Sequence, residues 1–421
     1  MTLIFVEQIT NRLKYTFDFV FNARGLSYEF TTNLSYFNNS TNHKFNYSTY
    51  PIPAVSTHIP CYLLFNQEIH QISLDKVSLN DIEFMSFNGC PDLVASIFFV
   101  LSRYEEYWQG ARDEHERFPA LCSMQSVFGW LDEPICDRWA EHLLTEIGIK
   151  IPEPNTLNIQ ATFDIDSVFA YREKGWYRNL GGLIKDVVSG KFKRVKERIG
   201  VCIFSKPDPF DTFDTIIEIA KDYPNTQCFW LLADYGMNNK NIEHSNQQQE
   251  KIIQKLGAEL NIGIHPGYST SLNEKIIETE KNRLEKILNK KIHRSRQHYL
   301  KFSLPKTFEY LLAQGIRIEY SMGYAETTGF RIGTARQVPW FNLATNEITE
   351  LELQPFCYMD GTLNEYMKLS PKQAIEEVKR LKELVKQYGG TFSFIWHNET
   401  LGFNYHWKGW DSVFEESITH S

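Results

Sequence analysis

Two aspartates lie one residue apart at the end of an apolar segment, in the run Thr162-Phe163-Asp164-Ile165-Asp166. The residues before them predict a β-strand, and side chains alternate between the two faces of a strand. We therefore expect Asp164 and Asp166 to point to the same side. Two neighbouring carboxylates are unfavourable unless a metal ion or a shared proton lies between them. A solvated turn or a helix cap is the commoner explanation for an isolated Asp-x-Asp pair.

Three further polar positions end or follow apolar segments. His265 precedes Pro-Gly at the end of a predicted strand, which makes it a candidate metal ligand. Arg296 is a candidate for orienting a carboxylate, with His298 beside it. His397 ends another predicted strand, where a general acid is expected. Each also has a simpler interpretation, as a solvated loop residue or a histidine bonded to a backbone carbonyl.

Two other charged positions are expected to have no chemical role. Asp360 follows a predicted strand at residues 350–356 and is interpreted as a turn residue rather than as a group at the mouth of a site. Residues 112–117 form a charged stretch that we expect to be solvated.

The elements that position these residues fall in the second half of the chain. At 421 residues the chain exceeds one typical domain and predicts two. The proline-containing stretch 151–155 breaks regular structure, so residues 1–155 are predicted to form a smaller α+β domain. Residues 156–421 alternate six predicted strands with helices, which is typical of a parallel α/β sheet or barrel with its chemistry at the strand ends.

Charge and cysteine content restrict the class of protein. A net charge of -8 argues against a general nucleic-acid binder. The seven cysteines are scattered and form no Cys-x-x-Cys motif, which indicates reduced thiols in a cytoplasmic protein. We find no basic leader and no apolar stretch long enough for a membrane span, and we expect a cytoplasmic protein. Nothing in the sequence predicts the oligomeric state.

Residues 169–206 differ from the rest of the chain in charge. They carry ten Lys and Arg against three Asp and Glu, interspersed with Trp176, Tyr177 and several aliphatic residues. A solvated basic helix is one interpretation. The other is an interfacial amphipathic element that contacts anionic lipid, a peripheral membrane contact, or a polyanionic substrate.

The order of these motifs resembles the polysaccharide deacetylase family, carbohydrate esterase family 4, over roughly residues 157–400. The resemblance implies a distorted (β/α) barrel at residues 156–421 that removes acetyl groups with a divalent metal, Zn²⁺ being the expected ion. Within this resemblance, Asp164 is the general base and Asp166 and His265 are metal ligands. Arg296 and Tyr299 match the family's third motif, and His397 would be the catalytic acid.

The sequence departs from the family pattern at two neighbouring motifs. Ser269 stands where the second histidine of the family's HxxxH motif is expected, and a hydroxyl is a poor ligand for Zn²⁺. His298 stands where the third motif has proline. We hypothesise that His298 supplies the missing ligand. The extra residue between the two aspartates leaves open that Asp164 and Asp166 exchange or share their roles.

Three residues are predicted to contact the substrate. The backbone N–H of Tyr299 is a candidate for holding an oxyanion. Arg331, on a predicted loop, is a candidate for contacting an anionic group of the substrate, and Trp396 is a further candidate for substrate binding.

The sequence thus predicts a metal-dependent deacetylase that acts on an N-acetyl or O-acetyl group of a sugar or glycan precursor, in the synthesis of a surface polysaccharide. One alternative is an inactive descendant that binds glycan or serves as a scaffold. Another is a hydrolase of a non-sugar amide or an O-acetyl esterase on the same fold.

Overall fold

A computed structural model describes residues 1–108, 110–152, 157–271, 273 and 275–420 of the chain. The predicted domain boundary after residue 155 falls among residues 153–156, outside the described residues, and stays a prediction. No helix in the described part is long and apolar enough to cross a membrane.

The first 152 residues form two small sheets and five helices in their described part. The parallel sheet has the strand order β2-β1-β3-β4, and the antiparallel sheet has the order β5-β6-β7. The strands are β1 Thr2–Phe5, β2 Tyr28–Thr31, β3 His43–Tyr47, β4 Thr57–His58, β5 Leu74–Leu79, β6 Ile82–Phe87 and β7 Cys90–Pro91. The helices are α1 Asn11–Val20, α2 Leu34–Asn39, α3 Leu93–Leu101, α4 Met124–Phe128 and α5 Ile135–Glu146.

From residue 157 onward the chain alternates strands with helices, as the sequence predicts. The strands are β8 Asn158–Ile165, β9 Gln227–Trp230, β10 Asn261–Ile264, β11 Arg294–Ser295, β12 Ile318–Glu319, β13 Val338–Asn342, β14 Glu347–Leu353, β15 Tyr358–Met359 and β16 Thr391–His397. The helices are α6 Trp176–Val188, α7 Phe192–Phe204, α8 Phe213–Asp222, α9 Gln247–Glu259, α10 Lys275–Leu288, α11 Lys306–Ala313, α12 Pro371–Tyr388 and α13 Asp411–Ile418.

These strands form one sheet with the order β13-β14-β12-β11-β10-β9-β8-β16-β15. All its pairings are parallel except β13 with β14. Strand β8, third from the β15 edge, is buried at every position after its first, because helices and neighbouring strands cover both faces. The carboxyl ends of β8, β9, β10, β11 and β16 therefore meet at one edge of the sheet.

The predicted barrel is not closed in the structure. Strands β13 and β15 lie at opposite edges of the sheet, and no strand pairing joins them in the described residues. An irregular segment, residues 322–335, lies along this gap instead of a strand. Its backbone bonds to Phe356, Cys357 and Thr391, which satisfies part of the open edge without a regular ladder.

The N-terminal part packs directly against the sheet. The ring of Phe341 in β13 lies 5.1 Å from the ring of Phe98 in α3. Arg331 extends from the irregular segment into a buried ion pair with Glu106, and its Nη2 lies 2.8 Å from the Glu106 Oε2. Arg103 donates to the same carboxylate and to the Arg331 carbonyl oxygen. Although burial would raise the pKa of Glu106, Arg331 and Arg103 lower it below its usual value.

We predict that Arg331→Met lowers the free energy of unfolding by about 3–5 kcal/mol, because one partner of a buried ion pair is lost. Chemical denaturation measures the change. The control Lys76→Met breaks an exposed ion pair with Glu83 and should leave stability nearly unchanged. An equal effect of the two substitutions would contradict the structural role assigned to Arg331.

Candidate active site

Strand register brings the predicted site residues together. Asp164 in β8 lies directly beside His397 in β16. Asp166 follows the end of β8, and His265 follows the end of β10, where its N–H donates to the carbonyl oxygen of the last residue of β9. Arg296 follows β11 and bonds through its backbone N–H to β10. These side chains converge because parallel strands present their carboxyl ends at one edge.

Asp166 lies between two imidazoles. Its Oδ1 is 3.2 Å from the His265 Nε2, and its Oδ2 is 3.3 Å from the His298 Nε2. The His265 Nε2 is also 3.7 Å from the Asp164 Oδ2, so both aspartates face the same imidazole, as strand alternation predicts. Asp166 Oδ1 is buried and accepts no hydrogen bond in the described part of the chain.

The other nitrogen of each imidazole is held by an oxygen acceptor. The His265 Nδ1 is 2.6 Å from the Arg296 carbonyl oxygen, and the His298 Nδ1 is 3.2 Å from the Asn239 Oδ1. The backbone N–H of Tyr268 donates to the same Asn239 oxygen, which fixes that side chain as the acceptor. Both Nδ1 atoms are therefore donors, and in the neutral rings each Nε2 is a lone pair turned toward Asp166.

Burial and charge shift the pKa values of these groups in different directions. Burial lowers the pKa of His298, so its ring is neutral at pH 7. Burial would also lower the pKa of His265, but the carboxylates of Asp164 and Asp166 outweigh it and raise that pKa. Burial would raise the pKa of Asp166, yet the two imidazoles hold it well below its usual value. A cation bound at this point would displace the second proton of His265.

The donor set fits a divalent metal ion. One ligand atom from each of Asp166, His265 and His298 lies within 4.8 Å of the others. Two imidazole nitrogens and one carboxylate are a common ligand set of catalytic zinc sites. Ligands about 2.0–2.1 Å from a tetrahedral ion are about 3.3 Å apart, close to the observed nitrogen–oxygen separations. Ser269, where the sequence resemblance leads one to expect a second histidine, is exposed.

Asp164 is held by Arg296. The Arg296 Nη1 lies 2.7 Å from the Asp164 Oδ1, and both side chains are buried. The Arg296 guanidinium also donates to the carbonyl oxygen of Tyr320 and lies against the ring of Phe229. These contacts leave the Asp164 Oδ2 directed toward the histidine cluster.

His397 is paired with Asp360, so the interpretation of Asp360 as a turn residue without a chemical role is wrong. The His397 Nδ1 lies 2.7 Å from the Asp360 Oδ1, and its backbone N–H donates to Oδ2. Thr400 donates to the same carboxylate. Burial would lower the pKa of His397, but Asp360 outweighs it and raises that pKa well above its usual value. The ring is therefore a proton donor at pH 7, and its Nε2 lies 3.9 Å from the Asp166 Oδ2.

A cleft of about 810 Å³ is lined by six of these residues: Asp164, Asp166, His265, His298, Asp360 and His397. Tyr299 lies in its wall with a left-handed backbone, at φ 60°, and its carbonyl oxygen accepts from Arg117. Arg117 belongs to the stretch 112–117 that was expected to be solvated, so the N-terminal part also contributes to the cleft. Glu399 lines the same wall, and burial raises its pKa to about 7.

Two residues predicted to contact substrate do not line the cleft. Arg331 is bonded to Glu106, which the sequence could not indicate because the two are 225 residues apart. Trp396 is fully buried among aromatic rings that include Phe414. Since it precedes His397 in β16, strand alternation turns it to the opposite face. Both predictions of substrate contact are corrected by these positions.

Comparison with known protein families gives a match in the N-terminal part. Residues 2–152 match DUF7033, a family of unknown function. No curated protein matches the chain.

Two solved structures are similar to parts of the chain. A candidate polysaccharide deacetylase from Mycobacterium smegmatis is 12% identical, with a TM-score of 0.40, over 64% of this chain and 85% of its own. A mutant of a carbohydrate esterase family 4 pseudoenzyme with restored enzymatic activity is 9% identical, with a TM-score of 0.25, over 58% of this chain and 67% of its own. Both scores lie below 0.5, so neither similarity establishes the fold or the function.

We predict that Asn239→Leu weakens Zn²⁺ binding by about 10–100-fold, because His298 loses the acceptor that orients its ring. Titration of the metal-free protein with Zn²⁺ against a competing chelator measures the affinity. Asn239→Asp keeps an acceptor oxygen at the same position and should bind within a few-fold of the unsubstituted protein. An unchanged affinity in Asn239→Leu would show that Asn239 does not position His298.

Proposed function

We propose that this protein is a metal-dependent hydrolase that removes an acetyl group from an N-acetylated or O-acetylated sugar of a glycan precursor. The observation that carries the proposal is that the cluster of Asp166, His265 and His298 lies in a cleft, between the carboxylate of Asp164 and the charged imidazole of His397. Asp164 and His397 are each held by a buried partner of opposite charge.

In this proposal Asp166, His265 and His298 hold the metal. With a divalent cation bound there, the acetyl carbonyl would be polarised and the pKa of the attacking water would be lowered. Asp166 contributes the negative charge, and the two histidines contribute neutral nitrogen ligands whose tautomers are set by Arg296 and Asn239.

Asp164 accepts the proton of the attacking water. Its Oδ1 is occupied by Arg296, so its Oδ2, which faces the cluster, is the atom we assign to this step. Arg296 keeps the carboxylate in one orientation and does not itself exchange a proton. We assign to the backbone N–H of Tyr299 a hydrogen bond to the oxyanion that forms when water adds to the acetyl carbonyl.

His397 donates a proton to the leaving group. The water oxygen bonds to the acetyl carbon, the bond from that carbon to the sugar nitrogen or oxygen breaks, and the Nε2 proton of His397 passes to the leaving atom. Asp360 keeps the ring charged before this step and stabilises its orientation. The products are acetate and the free amine or hydroxyl.

The cleft volume of about 810 Å³ suits a small sugar. We assign the substrate to glycan precursors rather than to polymer outside the cell, and the cytoplasmic location stays part of the proposal. The seven cysteines are free in the structure, as reduced thiols would be.

We predict that zinc-loaded protein releases acetate from a panel of N-acetylated and O-acetylated sugars, and that Asp164→Asn and His397→Ala each lower kcat by about 10²–10⁴-fold. Both variants should keep their metal, because neither residue is an assigned ligand. Acetate release is followed by a coupled assay, and metal content is determined on the same samples.

The matched control is His406→Ala at the rim of the cleft, where the imidazole is exposed and pairs with Glu365. This variant should retain kcat within a few-fold. Full activity in Asp164→Asn or His397→Ala would refute the proposed roles. Absence of acetate from every substrate would refute the deacetylase proposal and favour a protein that only binds glycan.

A further inference from the structure

The basic segment forms two consecutive helices with exposed apolar side chains. An apolar stripe along α6 is open to solvent and recurs every four residues; its members are Trp176, Leu180, Ile184 and Val188. Phe192 and Phe204, at the two ends of α7, are also exposed. Exposed aromatic and aliphatic groups at this density are unusual for a surface that faces only water.

Charge on the same two helices is opposite to that of the chain as a whole. Residues 169–206 hold ten Lys and Arg against three Asp and Glu, whereas the whole chain has a net charge of -8. Lys185 lies next to Ile184 in the apolar stripe, and Lys191 and Lys193 flank Phe192. These lysines are exposed, so their charged ends can contact anionic groups while their stems lie along apolar surface.

A groove of about 1000 Å³ is lined by residues of both helices. Its lining combines apolar side chains, among them Leu183 and Ile199, with the cations Arg172, Arg198 and Lys206 and one acidic residue, Glu173. A groove lined by apolar side chains and by more cations than anions has the chemistry that suits a lipid with an apolar chain and an anionic headgroup.

The helices are held in a fixed position relative to the cleft. Arg178 of α6 donates to the carbonyl oxygens of Lys240 and Asn241 in the loop before α9. Glu197 of α7 accepts from Tyr171 and Tyr405. Gly190 and Lys191 in the turn between the helices, and the first turn of α7, also line the cleft that contains the metal cluster. A surface that contacts α6 and α7 therefore lies beside the mouth of the cleft.

We propose that α6 and α7 dock this protein on an anionic lipid surface, with the apolar stripe inserted at the headgroup boundary. The combination of a basic flank and an apolar face is the pattern of interfacial helices. Each Lys or Arg near an anionic leaflet adds to the attraction. A symmetric contact between two copies would bring two surfaces of like charge together, so charge complementarity favours the anionic lipid.

Docking stands independently of the proposed hydrolysis, because it needs no substrate. If the proposed function also holds, docking brings the cleft to sugars carried on lipid headgroups, and that extension rests on the proposed function. Vesicle binding and acetate release are separate measurements, so the failure of one is distinguishable from the failure of the other.

The test is co-sedimentation of the full chain with vesicles of phosphatidylglycerol and phosphatidylcholine, compared with vesicles of phosphatidylcholine alone. We expect binding to the anionic vesicles, weakened by added salt because exposed charges are screened. The triple variant Trp176→Ser, Ile184→Ser, Val188→Ser should bind at least about tenfold more weakly, because the inserted apolar area is lost.

The fluorescence of Trp176 gives a second readout. Among the tryptophans, all of which lie in the described part of the chain, Trp176 is the exposed one. Anionic vesicles should shift the emission to shorter wavelength, and Trp176→Phe should abolish the shift.

The control variant Tyr62→Ser, Leu121→Ser, Val127→Ser removes three exposed apolar side chains elsewhere on the surface and should bind vesicles normally. Three results would overturn the proposal: no binding to anionic vesicles, equal loss of binding in both triple variants, or self-association of the chain that only the α6 variant abolishes. The last would assign α6 and α7 to a contact between copies.

Discussion

The site depends on one buried arrangement, the Asp166 carboxylate between the imidazoles of His265 and His298. When both rings are neutral, a buried carboxylate faced by two nitrogen lone pairs is unfavourable unless positive charge lies between them, and either a bound cation or the second proton of His265 supplies it. The nitrogen–oxygen separations of 3.2 and 3.3 Å are close to the distance between two ligands bound to one tetrahedral ion. The remaining contacts of the site keep these three groups in this arrangement.

The supporting contacts come from distant parts of the chain. The carbonyl of Arg296 orients His265 while the guanidinium of the same residue orients Asp164, so one residue connects the metal cluster to the proposed base. Asp360 orients the proposed acid, His397, through its contact with the His397 Nδ1. The irregular segment at the open edge of the sheet is fixed by the N-terminal part through Glu106, which makes that part a structural support of the sheet.

Strand alternation and strand ends explain how much the sequence could predict. Three site residues are identifiable because each ends or follows an apolar strand: Asp164, His265 and His397. His298 is identifiable because a histidine stands there in place of the proline of the family pattern, while Ser269 stands in place of a histidine. Asp360 and Asn239 could not be identified, since their contacts depend on the pairing of a two-residue strand and on a long loop. Alternation alone could have excluded Trp396. The open edge of the sheet could not be predicted, because the segment that lies along it, residues 322–335, has no periodic pattern.

Elemental analysis of two purified variants beside the unsubstituted protein tests the central claim most directly. The claim is that His298, and not the residue at position 269, completes the metal site. It predicts near-stoichiometric zinc or another divalent metal in the unsubstituted protein and in Ser269→Ala, and none in His298→Ala. Full metal content in His298→Ala, or no metal in the unsubstituted protein after zinc is supplied, would contradict it.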